Sequence, residues 1–156
     1  MIAPLRLRLS LERPWNSILI LAAAHRELGL LLGKRGSAAE AEEHFRKSVE
    51  LQPNDAWAHI YLGTLIWSAD SDSAIREFHI AQDICSEWTV PLWSLGNIHE
   101  FVLKDFDLAH SFFESALRLD PDDTVTLTNF GRLCKSRGDF EQAKQYLSRA
   151  GAPRSY

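Results

Sequence analysis

One spacing constrains this chain more than any compositional value. Four glycines, Gly29, Gly63, Gly96 and Gly131, stand 34, 33 and 35 residues apart, each inside a short apolar run: RELGLLL, IYLGTLI, WSLGNIH and TNFGRLC. About a dozen residues after each glycine comes an alanine, followed four residues later by Phe or Leu. The pairs are Ala41/Phe45, Ala74/Phe78, Ala109/Phe113 and Ala143/Leu147. Three residues further on is a second small residue, Ser48, Ala81, Ala116 or Ala150, and proline follows in two of the four units, at Pro53 and Pro121. Self-similarity at a fixed period of this size marks a repeat architecture, in which one supersecondary unit is copied along the chain.

Each unit holds two apolar-periodic segments of about 13 residues, which fits two amphipathic helices joined by a short turn. Antiparallel helices cross closely only where side chains are small. Gly29 and Ala41 supply such a contact in the first unit, and Phe45 fills the wedge that the crossing leaves. Ser37-Ala38-Ala39-Glu40 reads as a capping box opening a second helix. Asp55, Asp105 and Asp123 stand where N-caps are wanted. Pro53 and Pro121 disfavour helix in the residue before them and so end second helices, and Gly138-Asp139 marks the turn of the last unit. One helical hairpin cannot bury both of its faces, whereas stacked hairpins bury a continuous core.

These elements resemble the tetratricopeptide repeat, with its Leu-Gly, Ala-x3-Phe and Pro positions. The resemblance runs from Ala22 to about Ala150, through four repeats. It departs from the pattern at the family's Trp position, which holds His25, His59, Leu92 and Leu127, and at its Tyr position, which holds Leu32, Ile66, His99 and Cys134. The second repeat is one residue short before Ala74 and carries Ser86 in place of Pro, and the third is one residue longer in its turn. The resemblance implies an all-α, right-handed superhelical solenoid of antiparallel helical hairpins. The expected units span about 17–55, 56–88, 89–123 and 124–151, after an N-terminal arm at 1–16 and before a short tail at 152–156.

The resemblance also implies a concave groove, lined by the first helix of each repeat, that binds a peptide. The groove positions fall at Arg26 and Lys34 in the first repeat, and at Trp57, Ile60, Thr64 and Trp67 in the second. In the third they fall at Trp93, Asn97, Glu100 and Phe101, and in the fourth at Thr128, Asn129, Arg132 and Lys135. Tryptophan is enriched at binding hot spots. Arg26, Lys34, Arg132 and Lys135 against the single Glu100 make this groove net positive in a chain whose net charge is −4. That suits an extended peptide or partner protein with apolar anchors and an acidic residue or C-terminal carboxylate. Trp67 and Trp93 have a second reading, as packing between neighbouring repeats. Asn97 and Asn129 stand where family members that clamp a peptide carboxylate carry Asn, but Trp93 replaces the Lys expected beside them.

Other chemistry is not indicated. A net charge of −4 argues against generic nucleic-acid binding, which needs a large cationic surface. The six histidines, His25, His44, His59, His79, His99 and His110, show no metal-ligand spacing. Gly29, Gly33, Lys34, Gly36 and Ser37 fail the phosphate-loop pattern because Arg35 follows Gly33-Lys34. EAEEHFRK reads as a solvated helix face with pairs such as Glu43–Lys47. The expectation is a protein that is not an enzyme, with no cofactor, no metal site and no membrane span. Cys85 and Cys134 read as buried free thiols of a reducing compartment, which points to the cytoplasm. The alternative is export, because three arginines, the short apolar run Ile18–Leu21 and then Ala22-Ala23-Ala24 loosely resemble a secretory signal.

The two ends add a further expectation. Leu5, Leu7, Leu9 and Leu11 alternate with polar residues, a strand-like stripe, and from Pro14 or Asn16 the pattern suits a helix running to about Lys34. The last helix carries Phe140, Ala143, Tyr146, Leu147 and Ala150. Apolar area at either end would favour association through an end, as a homodimer. The function read from the sequence is therefore a protein-interaction scaffold. The alternatives are a regulatory or structural repeat arm of a larger enzyme or secretion assembly, and a self-assembling structural protein.

Overall fold

The computed structural model describes residues 14–151, which form eight α-helices. They are α1 (Pro14–Lys34), α2 (Ala38–Leu51), α3 (Ala56–Ile66), α4 (Ser71–Ile84), α5 (Thr89–Ile98), α6 (Phe106–Leu119), α7 (Thr124–Ser136) and α8 (Phe140–Gly151). The Leu5–Leu11 stripe and the tail at 152–156 lie outside the described residues.

Helix starts follow the side chains that can accept orphan backbone N–H groups. Asp55 accepts from Trp57 N and Ala58 N, Asp70 from Ser73 N, Asp105 from Leu108 N, and Asp123 from Val125 N and Thr126 N. Ser37 occupies the N-cap of α2 but makes no side-chain cap hydrogen bond, so the capping box expected there does not form. Its φ and ψ of −83° and 66° are not the extended values that aim a capping oxygen at the helix. Inside the hairpins, Gly36 and Gly138 turn the chain at φ +84°, and Lys104 does the same at φ +58° without glycine's freedom.

The helices pair as α1/α2, α3/α4, α5/α6 and α7/α8, and each pair stacks on the next through α2/α3, α4/α5 and α6/α7. The first helices α1, α3, α5 and α7 also touch in succession, so they form one layer and α2, α4, α6 and α8 the other. This is a right-handed superhelical α-solenoid. Ala41, Ala74, Ala109, Ser48, Ala81 and Ala116 are fully buried, because every crossing uses a small residue. Where the other units carry alanine, Ser48 keeps a polar atom inside by donating its hydroxyl to Ala22 O at 2.9 Å. Phe45, Phe78 and Phe113 pack closely against Gly29, Gly63 and Gly96, and Leu147 takes that place against Gly131. Burying a side chain of this size contributes about 1.5–3 kcal/mol.

The irregular repeats differ in their turns. In the third, α5 continues as a π-helical turn, His99–Leu103, which absorbs the extra residue inside the helix instead of looping it out. In the second, α3 ends at Ile66 and the chain reaches α4 through Trp67–Asp70 with no left-handed residue.

Candidate functional site

The layer of first helices carries two adjoining hollows. One, of about 300 Å³, lies between α1 and α3 and is lined by Leu30, Gly33, Lys34, Tyr61, Thr64 and Leu65, with Gly29 and Phe45 at its base. The other, of about 110 Å³, lies between α3 and α5 and is lined by Thr64, Trp67, Phe78, Trp93, Ser94 and Asn97. Thr64 is exposed and belongs to both, so the hollows meet at its side chain. Trp67 and Trp93 are half-buried. They pack between neighbouring repeats and also wall the smaller hollow, so both roles read from the sequence meet in the same two indoles.

A third aromatic group stands at the start of α3. Trp57 is 39% exposed. It stacks on Tyr61 with ring centroids 5.6 Å apart and meets Trp88 at 4.8 Å. Trp88 was not among the expected groove residues because it precedes α5 and so falls outside the helical phase used to find them.

The charged residues are mostly spoken for. Arg132 on α7 donates to Asn129 Oδ1 at 2.9 Å, Asn97 Oδ1 at 3.0 Å and Glu100 Oε2 at 3.0 Å, with its guanidinium 4.5 Å over the Phe101 ring. Glu100 is only 4% exposed and Asn129 is also buried, so neither is free to meet a partner. The two asparagines hold Arg132 instead of standing open as a carboxylate clamp. Arg26 pairs with Asp55, which caps α3 with its other oxygen, and lies 3.5 Å from Glu27. Asp55 adds a carboxylate that the sequence reading did not count, so the layer is less positive than expected. Lys34, Lys135 and Thr128 are exposed, and the Thr128 hydroxyl donates back to Thr124 O. Ile60 is corrected: at 3% exposed it belongs to the core, because its face of α3 turns toward the packed interior.

Two histidines at the family's Trp position bond within their hairpins. His25 Nδ1 and His44 Nδ1 are 2.8 Å apart, so one donates and the other accepts. His59 Nδ1 meets Glu77 Oε2 at 2.6 Å, and its Nε2 meets Pro53 O at 2.8 Å. An ionised Glu77 and the Pro53 carbonyl both accept, an arrangement that favours a proton on each ring nitrogen and so the imidazolium form of His59. Burial alone would lower its pKa, but the Glu77 hydrogen bond, the Pro53 carbonyl and nearby Asp55 outweigh this and raise it. Burial lowers the pKa of His99, which stacks on Phe112, and raises that of the Cys134 thiol. Cys85 and Cys134 are free thiols. Among the described residues there is no group of three or more His, Cys, Asp or Glu that could hold a metal ion, and no helix long and apolar enough to cross a membrane.

Models of the tetratricopeptide repeat match residues 23–55 and 103–154, together more than half of the chain. The chain belongs to the tetratricopeptide-repeat family. Among curated proteins it is similar to the anaphase-promoting complex subunit CDC16 of Saccharomyces cerevisiae, 26% identical over 113 residues, covering 72% of this chain and 13% of that protein. The chain spans 9–13% of the length of the curated relatives it matches. Among solved structures it is similar to MamA, with a TM-score of 0.70 at 20% identity over 87% of this chain and 82% of that one. It is also similar to the first tetratricopeptide-repeat domain of Spaghetti (RPAP3) bound to the HSP90 peptide SRMEEVD, with a TM-score of 0.67 at 17% identity over 76% and 94% of the two chains. At these identities the likeness concerns the fold.

Proposed function

We propose that this protein is a non-catalytic interaction scaffold whose layer of first helices holds an extended segment of a partner protein. The observation that carries the reading is the pair of hollows that meet at Thr64. A segment crossing the helices there sets successive side chains into adjoining apolar recesses, the mode in which pockets select anchors along an extended chain. A neighbour of the same fold holds a peptide. Exposed Lys34 and Lys135, at the two ends of the layer, favour a segment carrying an acidic residue or ending in a free carboxylate. The scaffold works in the reducing cytoplasm, in keeping with the free thiols Cys85 and Cys134. The test is selection of nine-residue peptides from a random displayed library on the intact protein. Thr64→Arg fills the mouths of both hollows from an exposed position. It is expected to weaken selected peptides at least tenfold while leaving the melting temperature unchanged. Peptides that bind Thr64→Arg as well as the wild type would overturn the reading.

A second reading is favoured by the outer surface of the terminal helices. Ile18, Ile20, Leu21 and Leu31 on α1 are exposed, as are Phe140 and Leu147 on α8. Apolar faces of this kind are covered in a larger repeat assembly or by a second copy of the chain. In this reading the protein is a repeat arm that docks by its ends, and the curated relatives are long proteins of which it matches a short part. Light scattering over a hundredfold concentration range is expected to show a dimer, and a constant monomer mass would rule out self-association.

A further inference from the structure

The hollow between α3 and α5 has a composition that selects what enters it. Trp67, Trp93 and Phe78 make an apolar sleeve. Two groups in its wall are polar. Ser94 is 5% exposed and its hydroxyl has no hydrogen-bond partner, an uncommon state for a buried polar atom. Asn97 accepts from Arg132 through its oxygen at 3.0 Å, and its NH₂ stays available as a donor. Acceptance from a cation polarises that amide, which strengthens it as a donor and gives the recess positive partial charge.

We infer that this hollow is a specificity subsite for a threonine side chain of the bound segment, with Ser94 and Asn97 as the residues that read its hydroxyl. The inference rests on the proposed peptide-binding role of the same face. At about 110 Å³ the hollow is roughly a third the size of its neighbour between α1 and α3, which suits a short side chain. Aromatic and long side chains would project beyond its walls. Leucine fits by size but leaves Ser94 Oγ and the Asn97 NH₂ unpaired. Aspartate supplies acceptors but brings a full charge between two indoles and a phenyl ring, where desolvation opposes it. Threonine fills the sleeve with its methyl group, and its oxygen accepts from Asn97 and exchanges a hydrogen bond with Ser94. Valine has the same shape without the oxygen, and a site built around a hydroxyl discriminates against the analogue that lacks it.

The probes are nine-residue peptides selected from a fully random displayed library on the intact protein, then synthesised with threonine or valine at the enriched position. Selected peptides are expected to share one threonine position, and Thr→Val there is expected to weaken binding about tenfold, the worth of one hydrogen bond. Ser94→Ala removes an unpartnered hydroxyl, so the variant keeps the wild-type melting temperature. It also reduces the difference between the threonine and valine peptides to about threefold or less. Selected peptides that lose binding to Thr64→Arg but show no threonine preference, or that keep the full discrimination on Ser94→Ala, overturn the subsite and leave the groove standing. Failure to select any peptide sensitive to Thr64→Arg overturns the groove, and the subsite with it.

Discussion

Replacing Gly96 by alanine probes the packing rule on which every repeat depends. A Cβ built at Gly96 would lie 2.6 Å from Phe113 Cε1 and 2.9 Å from both Cδ1 and Cζ. Phe113 cannot retreat: it is fully buried and its ring sits 5.8 Å from that of Phe130. Overpacking of this kind costs about 1–3 kcal/mol, and a contact this short in a rigid setting belongs at the upper end. Alanine in place of glycine in a helix returns about 1 kcal/mol of propensity. The net loss is about 2 kcal/mol, or roughly 4–8 °C in melting temperature for a chain of this size. Gly33→Ala is the control, since its nearest neighbour is Ala41 Cβ at 3.9 Å, and this variant is expected to melt at or above the wild type. Gly131→Ala falls between, because the exposed Leu147 that it meets can partly turn away. Urea titrations read by circular dichroism give the order. If Gly96→Ala proves as stable as Gly33→Ala, the close glycine–phenylalanine crossing is not what fixes the hairpin.

Arg132→Ala leaves buried Glu100 without its partner and is expected to cost roughly 1–3 kcal/mol. Adding Glu100→Gln should recover most of that loss in a urea titration, whereas a neutral Arg132→Ala would show that the residue is merely a surface charge. His59 has a pKa raised above its usual 6.5, so its protonated form is favoured by folding. Its stabilisation is full below about pH 6.5 and fades as the pH rises through the folded value, so the difference in melting temperature between wild type and His59→Gln should shrink upward from pH 6.5. A difference that grows with pH would contradict the imidazolium. Lys104 holds φ +58°, which costs a non-glycine residue about 1 kcal/mol, and Lys104→Gly should therefore raise the melting temperature by roughly 2–4 °C; no rise would mean the left-handed turn carries no strain.

What could be read from the residues alone was whatever recurs with the period. The glycine, alanine and phenylalanine positions repeat in every unit, so each occurrence checks the others, and they led directly to the hairpins. Asp55, Asp105 and Asp123 were legible as caps because their chemistry is local. Ser37 looked equally good, yet capping depends on the backbone angles of the residue itself, which its letter does not record. The extra residue of the third repeat could be counted, but whether it would be looped out or wound into a π-turn depends on packing by the neighbouring helices. In the candidate site, Trp67 and Trp93 line a hollow on the face the sequence named, while the pairing of its charges was not legible. Arg132 was read as a free cation because Glu100 and Asn97 are distant in sequence. Yet their separations from it, 32 and 35 residues, are close to one period. Residues one period apart on first helices are neighbours, and that relation would have exposed these pairs. Ile60 was misplaced because a small error in helical phase carries a residue from the exposed face into the core.

Whether the layer of first helices is the binding face is tested most directly by a titration of the isotope-labelled protein with a peptide selected on it, followed by amide and indole NMR shifts. The largest shifts are expected along α3 and α5, at Thr64, Trp67, Trp93 and Asn97, reaching Arg132 on α7, while α2, α4 and α6 stay nearly unmoved. Shifts concentrated on the second helices, or on the ends of α1 and α8 with the Trp67 and Trp93 indoles unchanged, would contradict it.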